Sequence, residues 1–393
     1  MVRDVAGLVS GWSLRRGRVV LRAGSWALIA VAITICFAEA AAAGQFRLLS
    51  DRSAQAIVPV AVFGKDDRTT LPAKLQPYQE ALGLLFNIRS RTVCTAFCVA
   101  EGMIATAAHC LYRPSGDKAP RLADFWFARN YDAVRDYARV AGHNIGAAAQ
   151  NVLAGSIKLN VAPPIDATRD WALVRLSRPI CKVKFEVEPM APDDIVRQSQ
   201  GRALFQLAYH RDFTQWRAAY STPCVSSRSY EKADWPAIAA DFSLAETLVL
   251  HTCDTGGGSS GSPLLVETAN GPRVVGINVG TYVQSKVLMR DGQVAQRMKP
   301  DAVANTGVAV AAFADRLAEF AAARILMTAT EIRELQRRLV ERGTYSGPLD
   351  GTYGPTLRAA IEDYERAAKR RVVGIASEAL LKHLRDTPVA KGP

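Results

Sequence analysis

The stretch Cys253-Asp254-Thr255-Gly256-Gly257-Gly258-Ser259-Ser260-Gly261-Ser262-Pro263, taken with Thr106-Ala107-Ala108-His109-Cys110 upstream, decides how this chain is read. The first contains Gly-x-Ser-Gly-x-Pro, a turn that presents one hydroxyl beside two free amide hydrogens. The second sets a histidine behind a short apolar run, next to a cysteine able to staple it in place. Acyl transfer requires a nucleophile, a base and oxyanion donors, and the two stretches supply a candidate for each. Among the three clustered serines, Ser260 follows Gly258 by two residues, a spacing that aims the amides of both at one oxyanion position. Ser259 and Ser262 lack that geometry and read as turn hydrogen-bonding residues.

Residues 103–108 are expected to form a buried strand that delivers His109. His143, His210, His251 and His383 lack comparable context and read as ordinary core or surface histidines. Asp170 opens Asp170-Trp171-Ala172-Leu173-Val174-Arg175-Leu176, an acid at the mouth of an apolar strand. An acid so placed accepts the imidazole hydrogen bond, fixes its tautomer and stabilises the imidazolium. Asp166 competes for the role, but the apolar strand begins directly behind Asp170.

The bounds fit an exported protein. At 393 residues the chain is long enough for a sizeable core and a small second domain. A basic region with Arg15, Arg16, Arg18 and Arg22 precedes an apolar run over 26–38, then Glu39 and alanines to Ala43, the pattern of a signal peptide over 1–43. The run is short for a membrane span and is interrupted by Glu39, so no stable span is expected after cleavage. Of the 7 cysteines, Cys36 falls in that segment. Cys94, Cys98, Cys110, Cys181, Cys224 and Cys253 remain, an even set that predicts disulfides with the connectivity open. No Cys/His cluster has zinc-ligand spacing, so neither a metal nor a cofactor is expected. The net charge of +12 favours contact with anionic envelope polymers. No basic stripe interleaves with aromatics, so nucleic acid is not an expected partner.

From Ile57 to about Gly280 short apolar runs alternate with Gly, Pro, Asp and Asn, which predicts a mainly β pair of barrels. Strands are expected over 56–63, 82–88, 171–176, 204–209, 247–251 and 274–279. A helix over 311–326 closes this part, giving expected units of 44–326 and 327–388. In the tail, Thr328-Ala329-Thr330-Glu331 is a capping box, and Ile332, Leu335 and Leu339 share one helical face. A turn-rich loop over 343–354 leads to a second helix marked by Leu357, Ile361 and Tyr364. A third, with Leu380, Leu381 and Leu384, follows Ser377.

The region from about Ala56 to Arg324 resembles the chymotrypsin-like serine peptidase superfamily, in its bacterial branch related to glutamyl endopeptidases. Thr106-Ala107-Ala108-His109-Cys110, Asp170-Trp171-Ala172-Leu173 and Gly258-Ser259-Ser260-Gly261-Ser262-Pro263 carry the resemblance in order, with Gly64-Lys65-Asp66-Asp67-Arg68 near the start and Asp254-Thr255 before the serine. It implies two perpendicular six-stranded barrels with a cleft between them. His109 is then the base, Asp170 its orienter and Ser260 the nucleophile, with Gly258 and Ser260 forming the oxyanion hole. Thr255, Asn278, Val279 and Gly280 are implied at the substrate, the last two through strand-like backbone pairing. It also implies disulfides Cys94–Cys110 and Cys224–Cys253, with Cys98 and Cys181 left over.

Two departures qualify the resemblance. Ser259 stands where trypsin-type enzymes carry the aspartate that pairs with a new N-terminal amine, so that activation switch is expected to be absent. Asn278 stands where glutamyl endopeptidases carry a histidine that helps bind glutamate, so a glutamate preference is not carried over. Asp254, at the place of the trypsin specificity acid, is expected to be structural.

The tail resembles a three-helix peptidoglycan-binding domain through Leu335-Gln336, Leu339, Gly343, Tyr345, Gly347-Pro348, Asp350-Gly351, Tyr353-Gly354-Pro355 and Ala359-Ala360-Ile361. The family's Phe-Gln pair stands here as Tyr364-Glu365, and an expected threonine is displaced to Thr356. Together the resemblances imply a secreted or periplasmic serine endopeptidase acting on polypeptides and held at the cell envelope by peptidoglycan contacts over 328–388. The alternative is a catalytically silent envelope-binding protein that keeps the fold.

Overall fold

A computed structural model describes residues 47–51, 57–58, 61–112, 121–131, 136–213, 216–231, 233–290, 293–297 and 301–388. The expected signal peptide, with Cys36, lies outside the described residues.

The first barrel is built from strands whose residues are nearly all buried, as in Leu82–Asn87 and Met103–Thr106. Antiparallel neighbours follow the order Asp136–Arg139, Phe125–Arg129, Leu82–Asn87, Val93–Ala100, Met103–Thr106 and Ala172–Arg175. A bridge between Val140 and Leu176 returns the last strand to the first. The Ala141 amide donates to the Arg175 carbonyl and the Ser177 amide to the Arg139 carbonyl, each at 2.8 Å. Val152–Ala154 is a further short strand beside Ala172–Arg175.

The second barrel runs Ala218–Ser221, Leu204–Tyr209, Pro263–Val266, Arg273–Arg290, Asp301–Ala309 and Leu248–His251. Its seam closes at a bridge between Ser226 and His251 and at the Cys224–Cys253 disulfide. The fold is therefore chymotrypsin-like, with six strands in each barrel. The long strand Arg273–Arg290 outruns its barrel and takes Ile57–Val58 and Arg47–Asp51 as further partners.

Cys94–Cys110 and Cys98–Cys181 are the other two disulfides. Each cross-link restricts the unfolded chain and typically stabilises by ~2–4 kcal/mol.

Two expected elements are shorter than their apolar patterns. Within 56–63 only Ile57–Val58 is strand among the described residues, because Ala61 and Phe63 are spent on contacts with the second barrel described below. The closing helix is Ala314–Ala322, burying Leu317 and Phe320. Its C-terminal carbonyls at Phe320, Ala321 and Ala323 accept from Arg175 Nη2 at 2.8, 2.9 and 2.7 Å, which satisfies groups that helix ends leave orphaned.

The tail forms helices Ala329–Val340, Pro355–Ala367 and Glu378–Asp386 around Ile332, Leu335, Leu339, Leu357, Ile361 and Leu381. The capping box is present: the Glu331 amide donates to Thr328 Oγ1, and the Thr328 amide donates back to Glu331 Oε2 at 2.9 Å. The tail is not free of the barrels. Val373 and Ile375 join the main core, the Leu326 amide donates to the Ala376 carbonyl, and Arg371 pairs with Glu319.

Candidate active site

His109 sits in a short 3-10 turn, Ala108–Cys110, just beyond Met103–Thr106. Asp170 ends another such turn, Ala167–Arg169, immediately before Ala172–Arg175. These two strands pair directly, Thr106 opposite Ala172, so the ladder brings acid and imidazole together. One Asp170 oxygen accepts the His109 backbone amide at 2.8 Å, and the other accepts from ring Nδ1 at 2.6 Å. That double contact orients the ring and leaves Nε2 away from the acid, with Cys110 Sγ 3.9 Å from it. The Asp170 side chain is 6% exposed and that of His109 23%. Burial works against protonation of His109, but the charge and hydrogen bond of Asp170 prevail and hold its pKa above the ordinary histidine value.

The turn around Ser260 is held from both barrels. Thr95, fully buried on the first, donates its amide to the Ser260 carbonyl at 2.9 Å and its hydroxyl to the Gly258 carbonyl at 2.9 Å. Gly261 has φ +83°, and a Cβ there would run into Thr106 Oγ1 and the Thr95 carbonyl, so only glycine lets the two barrels approach this closely. Behind the turn, Asn278 donates its carboxamide to the Ser259 carbonyl at 3.2 Å and accepts from His251 Nε2 at 3.2 Å.

The amides of Gly258 and Ser260 have no hydrogen-bond partner among the described residues. The Gly257 carbonyl accepts from the Arg211 amide at 2.6 Å. A trans peptide unit points its carbonyl and its N–H in opposite directions. Fixing the Gly257 carbonyl on Arg211 therefore turns the Gly258 N–H the other way. No hydrogen bond joins the Ser260 hydroxyl to His109 Nε2 among the described residues, and such contacts often tighten only with substrate.

The residues implied at the substrate are placed differently. Thr255 and Asn278 are buried, and their side chains are engaged internally. Thr255 Oγ1 accepts from the Ala61 amide at 3.0 Å and approaches Asn305 Oδ1 at 3.3 Å. Thr281 Oγ1 donates to the same Asn305 oxygen at 2.6 Å. Val279 lies in a bulge of the ladder between Asn278 and Gly280. Asp254 is buried, with its two oxygens accepting the Phe63 and Asp67 amides, each at 2.8 Å.

Several contributors were not legible as site residues. Thr95 reads as one more strand threonine. His210 reads as a plain core histidine, yet its Nδ1 accepts the Gly256 amide at 3.0 Å. Burial, and then the Arg68 charge, push the His210 pKa down to about 3, so Nδ1 stays an acceptor. Burial likewise lowers His251 to about 3, against its Asn278 hydrogen bond. Asp67 is raised to about 6, chiefly by burial and also by the neighbouring Asp254. The only sequence signal for this group was Gly64-Lys65-Asp66-Asp67-Arg68.

Residues 71–293 match the family described as Trypsin, and residues 328–384 match the family described as Putative peptidoglycan binding domain. No curated protein matches the sequence. Among solved structures, one titled "Structure of Glu endopeptidase in complex with MPD" is similar with 16% identity and a TM-score of 0.43, covering 66% of this chain and 99% of that chain.

Proposed function

The chain belongs to the trypsin family, and on that premise we propose that it is an exported serine endopeptidase working through Ser260, His109 and Asp170. The observation that carries this reading is the double contact of Asp170 on His109, set against a turn whose Gly258 and Ser260 amides have no partner among the described residues.

In the proposed reaction His109 Nε2 takes the proton of the Ser260 hydroxyl as Oγ attacks the substrate carbonyl. Asp170 holds the ring and stabilises the imidazolium. The Gly258 and Ser260 amides receive the negative oxygen. His109 then gives the proton to the leaving amine, and water repeats the sequence on the acyl-enzyme. Val279 and Gly280 offer backbone groups to an extended polypeptide. Thr255 and Asn278 act on the substrate indirectly, by shaping the loop behind the nucleophile.

The proposed organisation is a signal peptide over 1–43, a peptidase unit over 44–326 and an envelope-binding unit over 327–388. The family match of the tail and three disulfides among the described residues support a secreted or periplasmic location at the cell wall. Labelling with a fluorophosphonate followed by peptide mapping tests the catalytic reading, with adduct expected on Ser260. Absence of an adduct on correctly folded protein would favour the silent envelope-binding alternative. Retention of residues 328–388 by purified peptidoglycan sacculi tests the tail.

A further inference from the structure

The oxyanion loop contains three consecutive glycines, Gly256, Gly257 and Gly258, the residue type with most backbone freedom to lose. Donors to an oxyanion act only when fixed beforehand, so something outside the loop must fix it.

Three consecutive residues do this. His210 accepts the Gly256 amide at 3.0 Å, and Arg211 donates its amide to the Gly257 carbonyl at 2.6 Å. Asp212, the third, takes a two-pronged hydrogen bond from Arg68, at 3.2 Å from Nη1 and 3.0 Å from Nη2. Arg68 itself is locked. Its side chain is 4% exposed, it reaches Asp66 at 2.9 and 2.7 Å, and it lies over the Phe213 ring at 5.1 Å. A Cβ on Gly256 would collide with both Asp212 and Arg68, so the loop lies directly on this ion pair.

The same segment, 61–68, grips the start of the loop. The Thr255 amide donates to the Ala61 carbonyl at 2.8 Å, and Asp254 takes the amides of Phe63 and Asp67. We propose that segment 61–68 is an internal strap that sets the oxyanion loop in its working shape. Arg68, Asp212 and His210 are then positioning residues for hydrolysis. This rests on the reading that Gly258 and Ser260 receive the oxyanion. The strap makes its contacts with backbone amides and a guanidinium inside the chain, and so does the ordering work without a newly freed N-terminus.

The test uses the full chain with Arg68→Ala, Arg68→Lys and Asp212→Asn, each checked by thermal melting. Turnover of a soluble peptide ester is read beside the affinity of two ligands. A peptidyl boronic acid fills the oxyanion position, and a product peptide fills the cleft alone. In Arg68→Ala and Asp212→Asn, kcat and boronate affinity are expected to fall about 10²-fold, as on losing an oxyanion donor, with KM and product affinity nearly unchanged. Added guanidinium should restore part of the Arg68→Ala loss, and Arg68→Lys should retain more than Arg68→Ala. Wild-type kcat in folded Arg68→Ala or Asp212→Asn overturns the proposal. Equal loss of both ligands without guanidinium rescue overturns it too. If Arg68→Ala does not fold, the near-isosteric Asp212→Asn decides between these outcomes. Ser260→Ala in the same assay separates the two readings: wild-type turnover there removes the oxyanion reading itself, whereas a dead Ser260→Ala beside a fast Arg68→Ala removes only the strap.

Discussion

Two irregular loops, 256–262 around Ser260 in the second barrel and 345–354 in the tail, are held in opposite ways. In the tail one fully buried side chain, Gln336, organises its loop from 9 to 16 residues away. Its amide nitrogen donates to the Tyr345 hydroxyl at 3.3 Å, Asp350 Oδ1 at 2.9 Å and the Thr352 carbonyl at 3.2 Å, and its oxygen accepts the Gly351 amide at 2.9 Å. The barrel loop depends on partners far along the chain. His210 is 46 residues from Gly256, Thr95 is 163 from Gly258, and Phe63 is 191 from Asp254. A locally held loop forms with its helices. A loop held over such separations takes this shape only when both barrels and segment 61–68 are assembled, so its geometry depends on the whole fold.

The sharpest way to break the contrast is chemical. Ser260→Ala and Asp170→Asn are each expected to lower kcat on the order of 10⁴-fold or more, while Ser259→Ala and Ser262→Ala keep a measurable fraction, all read with a soluble peptide ester. The pH profile follows from His109, which must be neutral to act as base. Because Asp170 raises its pKa, activity should be lost as pH falls through a value above the ordinary histidine value. In Asp170→Asn that limb should move to lower pH, since burial then acts alone. An unmoved limb in kcat/KM would mean that another group titrates.

Next in size is Asp254→Ala, which leaves the Phe63 and Asp67 amides without their acceptor. A loss of about 2 kcal/mol is expected for two partly buried donors orphaned together, with melting temperature and turnover falling in parallel. Gln336→Ala should cost the tail about 2 kcal/mol by the same physics, abolish retention on sacculi and leave ester hydrolysis within about twofold. If Gln336→Ala slows hydrolysis as much as Asp254→Ala does, the two loops are not held independently. The smallest effect is expected from one added residue at the mature N-terminus. Ser259 stands where a trypsin-type aspartate would take a terminal ammonium, and the neighbouring Asp254 is already satisfied by backbone amides, so turnover should change by less than about twofold, as for an ordinary surface change.

The same contrast explains what could be read in advance. The capping box, the tail helices, His109 behind its strand and the glycine-rich turn around Ser260 each follow from neighbours in sequence. Their placement needed only periodicity and turn chemistry. The pairing of Arg68 with Asp212 spans 144 residues, and no local pattern predicts that His210 serves a loop. Asn278 was expected at the substrate, but a short polar side chain on an inward face is more easily used to satisfy buried groups, here Ser259 and His251. The tail reads as separable, yet Val373 and Ile375 complete the barrel core. Glu365, at the place of a family glutamine, is a buried acceptor for the Val373 and Gly374 amides at 2.7 and 2.9 Å, which helps explain why that connection turns inward.

The barrel seams have a consequence for survival among proteases. A sheet edge is a row of unpaired amides and carbonyls, the form in which a second copy could add a strand or a peptidase could capture backbone. Rolling each sheet onto itself at Val140–Leu176 and Ser226–His251 withdraws most of that backbone from capture. The two closures are not equal. The second is backed by the Cys224–Cys253 link, whereas the first relies on the bridge and the amides of Ala141 and Ser177. In hydrogen exchange those two amides should open before that of Thr252, and the first seam is where nicking should begin.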